Sequence, residues 1–114
     1  MPQHRTQNAT SKRTNSEDDW AWVLHELAKG KDAAKLTRKL ASRRADKPNP
    51  LYYAQRTVDV ASARLWLIEG VPMDDVATML EVRRRFESPI ALCRARAREI
   101  AQTARRMIAR RKVA

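Results

Sequence analysis

Cysteine occurs once, at Cys93, so the chain can form neither an internal disulfide nor a cysteine-based zinc site, which suits a reducing cytosol. Glycine is confined to Gly30 and Gly70, and β-branched residues are few beside Ala, Leu, Arg and Lys. That balance favours an all-α chain and gives no strand signal. Aromatic residues make up only 5%, so the core must be built mainly from Ala and Leu and will be thin. No stretch approaches the length of a membrane span, and the first residues lack an apolar signal region. There is no internal repeat. At 114 residues there is room for one domain with one modest core.

Chemistry-bearing motifs are equally scarce. His4 and His25 are isolated, and no Ser/His/Asp set, glycine-rich phosphate loop or metal motif is present. The acidic clusters Glu17-Asp18-Asp19 and Asp74-Asp75 sit where helices begin, which capping explains more simply than metal binding. The expectation is a protein that is not an enzyme and uses no cofactor or metal.

What the chain has is positive charge at one end. Arg83 to Lys112 holds eleven Arg and Lys against Glu87 and Glu99, whereas Ser16 to Val82 holds ten basic and eleven acidic residues. Met1 to Asn15 adds Arg5, Lys12 and Arg13, and the whole chain carries +11. A near-neutral body with a cationic end points to a polyanionic partner, through release of counterions condensed on nucleic acid. Charge alone does not separate DNA from RNA or from an acidic protein. A membrane surface is a poor fit, because the apolar face of the basic end is mostly Ala, without Trp or Phe.

Residues 1–15 are polar and read as a disordered basic arm; 16–114 read as the helical domain, with 83–112 its strongly basic part. Asp18 and Asp19 place acid in the first turn of a helix carrying Trp20, Val23, Leu24 and Leu27, with Gly30 as its stop. Asp32 caps a second helix burying Ala33, Leu36 and Leu40, ended by the run Asp46 to Pro50. Asn49 caps a third from Pro50 to Glu69, with Ala54, Thr57, Val58, Ala61, Leu65 and Ile68 as its main face. Tyr53, Val60 and Leu67 widen that face, so this helix should be central. A short fourth helix, Asp74 to Leu80, would bury Val76, Met79 and Leu80. Ser88-Pro89 would open a fifth, running to about Lys112. Its seam of Ile90, Cys93, Ala97, Ile100, Ala104 and Met107 fits packing along a partner helix, in this chain or in another copy as a homodimer.

On that last helix Arg94, Arg98, Arg105 and Lys112 line one flank, suited to forked phosphate contacts or to an ordinary solvated face. Arg106 and Arg110 sit opposite the seam. Val71 to Leu80 also has the look of the first helix of a helix-turn-helix. Its turn would fall at Glu81-Val82, and a recognition helix would pass through Arg83, Arg84 and Arg85. Trp22, Tyr52 and Trp66 fall off the main apolar faces, where they could stack on unpaired bases or pack against a neighbouring helix.

The stretches Asp19-Trp20-Ala21-Trp22, Gly30-Lys31-Asp32 and Arg43 to Val58 (RRADKPNPLYYAQRTV) resemble the helical segment after the catalytic domain of RepB-type plasmid and phage primases. The similarity covers about Ser16 to Gly70 and is densest from Arg43 to Val58. It implies a helix bundle that helps a catalytic domain recognise single-stranded template and begin the primer. The metal-binding catalytic domain of those primases has no counterpart here, so the resemblance implies template binding without polymerisation. It points to Arg43, Arg44, Lys47, Tyr52, Tyr53 and Arg56 as template-facing residues, each of which could instead serve as loop charge, helix-end charge or packing.

The sequence thus predicts a compact bundle of four to five helices with a long basic C-terminal helix, in a bacterial, plasmid- or phage-associated cytoplasm. The expected partners are DNA, single-stranded by preference, and a primase or other replication protein, with no membrane. The alternatives are a helix-turn-helix regulator of duplex DNA and a helical protein-interaction adaptor.

Overall fold

The computed structural model describes residues 18–88 and 90–113, with side chains as far as Arg110. The arm expected at residues 1–15 lies outside the described residues. Five helices and no strand make up what is described: α1 (18–28), α2 (Ala33–Arg43), α3 (Pro50–Ile68), α4 (Met73–Glu87) and α5 (Arg94–Val113). The chain is an all-α bundle.

The helix starts follow the local chemistry. Asp32 Oδ1 accepts from the Ala34 N–H at 3.2 Å, and Asn49 Oδ1 accepts from the Tyr52 N–H at 3.4 Å with Pro50 in the first turn. α1 and α3 both run into a glycine with positive φ, +89° at Gly30 and +97° at Gly70. A side chain would be strained at either position.

α3 is the central element and packs on α2, α4 and α5. Its two sides feed two apolar clusters. Ala54, Val58 and Ala61 meet Val23 of α1 and Leu36 and Leu40 of α2. Val60 and Ala63 meet Val76, Ala77 and Leu80 of α4 and Ala97, Ile100, Ala101 and Ala104 of α5. Trp20 is half-buried and packs against both clusters, tying them together.

Several sequence expectations are corrected. α4 does not stop at Leu80 but continues unbroken to Glu87. Nothing from Glu81 to Phe86 breaks a helix, and the macrodipole is matched by Asp74 and Asp75 in the first turn and Arg84 and Arg85 in the last. The turn expected at Glu81-Val82 is therefore absent, and Arg83 to Arg85 form no separate recognition helix. Met79 is exposed and Ala77 takes its place in the core; Ile68, the last residue of α3, is exposed where its neighbours run out.

α5 begins at Arg94 rather than Pro89. The Ser88 hydroxyl donates to Gln55 Oε1 of α3 at 2.7 Å and accepts from the Ile90 N–H at 3.1 Å, so it closes a turn instead of opening a helix. Cys93, exposed, provides the carbonyl for the Ala97 N–H of α5. Ile90 and Cys93 thus fall outside the helix, while Ala97, Ile100 and Ala104 are buried in this chain's own core. The middle of the seam packs within the chain, with Met107 partly buried against the same core.

Candidate nucleic-acid interface

The turn between α2 and α3 was expected to present cations and tyrosines to a template. Instead it is organised around Asp19, whose side chain is fully buried. Arg44 Nε donates to Asp19 Oδ2 at 2.9 Å and Nη2 donates to Oδ1 at 2.7 Å. The Tyr53 hydroxyl donates to Oδ2 at 2.7 Å. A buried carboxylate needs such partners, and the forked arginine supplies two of them. Asp19 lies in the first turn of α1, as expected, and is also a buried anchor. Lys47 Nζ lies 4.3 Å over the Tyr53 ring, and the Arg43 guanidinium lies 4.8 Å over Trp22. Trp22 thus packs under an arginine. Tyr52 is 41% exposed, and Arg56, one turn further along α3, is exposed with no partner among the described residues.

Arg83 and Arg84 converge on a second buried carboxylate, Asp59 of α3. Arg83 Nη2 donates to Asp59 Oδ1 at 2.8 Å and Nη1 donates to the Ser62 hydroxyl at 2.8 Å. The same guanidinium lies 5.3 Å over Trp66. Arg84 is only 4% exposed; its Nε stands 3.4 Å from Asp59 Oδ2, near enough to attract but not aligned as a hydrogen bond. Asp59 Oδ2 and Arg84 Nε and Nη1 are left without hydrogen-bond partners. Burial raises the Asp59 carboxyl above its ordinary range, and the opposing pull of Arg83 and Arg84 does not cancel it. Burial likewise lowers the Arg84 guanidinium. Arg85, next in sequence, is exposed with no described partner.

The flank of α5 lies along α4. Arg94 Nη1 donates to Glu81 Oε1 and Thr78 Oγ1, both at 2.7 Å, and Nη2 reaches the Asp74 carbonyl at 3.3 Å. Arg98 Nε is 4.0 Å from Asp74 Oδ1 with both side chains largely in water, and the exposed Arg105 reaches the Met73 sulfur at 3.5 Å. Arg106 and Arg110 are exposed on the outer side, and Arg96 pairs with Glu99 at 3.3 Å. Lys112 belongs to α5, but its side chain is outside those described.

Of the twelve residues singled out in the sequence, the eleven with described side chains divide. Arg44, Arg83, Arg84 and Arg94 hold helices together, and Arg43 and Lys47 lie over aromatic rings. Tyr52, Arg56, Arg85, Arg98 and Arg105 present themselves to solvent. Two outward residues were missed: Arg38, exposed beside the groove between α2 and the end of α4, and Phe86, 77% exposed. Phe86 was findable, since Met79, Val82 and Phe86 make one helical stripe once α4 is allowed to run past Leu80. Among the described residues no group of three or more His, Cys, Asp or Glu is placed to hold a metal ion, and no helix is long and apolar enough to cross a membrane. No family model, curated protein or solved structure matches the chain.

Proposed function

We propose that this chain is a non-catalytic DNA-binding helical module of plasmid or phage replication, which binds single-stranded template and assists a separate primase. The observation that carries the reading is the positive charge left over once the internal ion pairs are made. In α5, Arg98, Arg105, Arg106 and Arg110 remain exposed, while Glu99 is the helix's one acid and is held by Arg96. Ion pairs inside a bundle neutralise cations two helices at a time. A row left facing water gains most from phosphates, by counterion release and forked hydrogen bonds. The resemblance of Arg43 to Val58 to primase helical segments supplies the choice of a replication template. Arg44 and Tyr53 in that stretch hold Asp19, so Tyr52 and Arg56 are its template-facing members.

The test is titration of a labelled single strand and a duplex of equal length at several salt concentrations. Replacing Arg98, Arg105, Arg106 and Arg110 by Gln should reduce the single-strand salt slope by up to about 3, at roughly 0.7 per phosphate contact. Circular dichroism should show unchanged helicity. A variant that keeps the parent's affinity and slope would show that these arginines are ordinary surface.

A further inference from the structure

The outer face of α4 carries an unpartnered apolar stripe. Met79, Val82 and Phe86 lie along it, and with Trp66 of α3 they border a groove of about 430 Å³. Phe86 is the most exposed of the large apolar side chains described. Trp66 and Arg83 both line this groove, the guanidinium held over the indole and fixed by hydrogen bonds to Asp59 and Ser62. Planar surfaces of this kind, an aromatic ring beside a guanidinium, are what unpaired bases stack on.

The surroundings supply charge for the phosphates. α3 and α4 run antiparallel, and the Ser88 hydroxyl bonded to Gln55 Oε1 at 2.7 Å holds the end of α4 beside the first turns of α3. That end of the pair carries the two aromatic side chains of the chain that are exposed, Tyr52 and Phe86. Arg56 and Arg85 stand there exposed and without acidic partners, and Arg38 borders the adjoining groove from α2. The one acid lining both grooves is Glu87. Three helices thus contribute exposed cations toward this end of the α3–α4 pair.

We infer that Phe86 is a base-stacking residue, and that this end of the α3–α4 pair is the contact surface for an unpaired stretch of polynucleotide. The inference rests on the proposed function and adds to it a location and a second aromatic contact. Ordinary electrostatic binding along α5 does not require it.

The experiment measures the full chain against oligo-dT, a duplex of the same length, and heparin as a polyanion without bases. Phe86→Ala should weaken oligo-dT binding by at least about fivefold and leave duplex and heparin binding within about twofold, since only unpaired bases stack. Phe86→Trp should restore it. Because the side chain is in water, thermal unfolding should not change. An oligonucleotide bearing 5-iodouracil should cross-link to Phe86 or Tyr52, read by mass spectrometry. If the parent binds oligo-dT and Phe86→Ala binds it equally well, the base-stacking inference is overturned, the proposed function stands, and the stripe belongs to a protein partner. An equal loss for all three ligands overturns it too, since stacking would then not be the cause. If the parent binds none of the three, the proposed function itself fails.

Discussion

Asp19 and Asp59 are both removed completely from solvent, and each is met by arginine from another helix or turn, yet the two sites are compensated differently. Asp19 receives three aligned hydrogen bonds, two from Arg44 and one from Tyr53. Asp59 receives one from Arg83, while Arg84 sits beside it with two nitrogens unpaired. The difference follows from position. Arg44 is in a turn, free to swing its fork onto a carboxylate at the start of α1. Arg84 is fixed on α4 and packed against α3, where the backbone sets its approach. A buried ion pair gains from attraction only when its geometry is good, and otherwise the cost of leaving water dominates. Asp19 should therefore act as a charge and Asp59 mainly as an acceptor.

The largest effect should come from deleting the Asp59 side chain. Asp59→Ala removes the one acid beside Arg84 and leaves a buried, unpaired cation, so urea unfolding should show a loss of about 3–5 kcal/mol. A loss near zero would mean that water reaches the site and that the contrast with Asp19 is illusory.

Isosteric replacements sharpen the comparison. Asp19→Asn removes the charge from an aligned set of bonds, each worth about 1.5–3 kcal/mol when charged, and should cost about 3 kcal/mol. Asp59→Asn keeps an oxygen for Arg83 and no longer buries a carboxylate, which offsets part of the cost of leaving Arg84 without a counter-charge, so its loss should lie below those of Asp59→Ala and Asp19→Asn. Equal costs at the two positions would refute the distinction.

These networks also mark where the sequence stops being legible. Asp32, Asn49-Pro50, Gly30 and Gly70 announce their helix ends through local chemistry, and all four are found as read. The central place of α3 followed from its wide apolar face. Arg44 and Asp19 are 25 residues apart and Arg83 and Asp59 are 24 apart, and no helical period links them. In a charge count they look like surface cations and capping acids. Ser88 misled for the same reason, because its hydroxyl is committed to Gln55, 33 residues away. The exposed arginines of α5 were legible as a group, since Glu99 is the one acid within the helix to compete for them. Which members of the Arg43 to Arg56 turn reach water depended on long-range partners.

The aromatic residues give a smaller contrast between the two halves of the core. Trp20 packs on both clusters but is only partly buried, so Trp20→Ala should cost about 2–3 kcal/mol, below the roughly 3–5 of a fully buried Trp. Trp22 packs on one cluster and carries the Arg43 guanidinium, a contact worth about 0.5–1 kcal/mol at an exposed site. Trp22→Ala should be milder by about half. Calorimetry showing the reverse order would put the junction between the clusters elsewhere.

The smallest expected effect is a change of slope with pH, and it tests the Asp59 side of the comparison most directly. Burial holds the Asp59 carboxyl above its ordinary value of 3.8. Between that value and the raised one the folded chain binds more protons than the unfolded chain. The contribution of Asp59 to stability is then fully present below 3.8 and is lost as pH rises through the raised value. Asp59→Asn does not titrate there, while every other carboxylate is common to both proteins and cancels on subtraction. The stability of the parent minus that of Asp59→Asn should therefore fall as pH is raised from below 3.8 through the acid range. A difference that rises instead would mean that attraction to Arg83 and Arg84 outweighs burial, and Asp59 would then be a charge anchor of the same kind as Asp19.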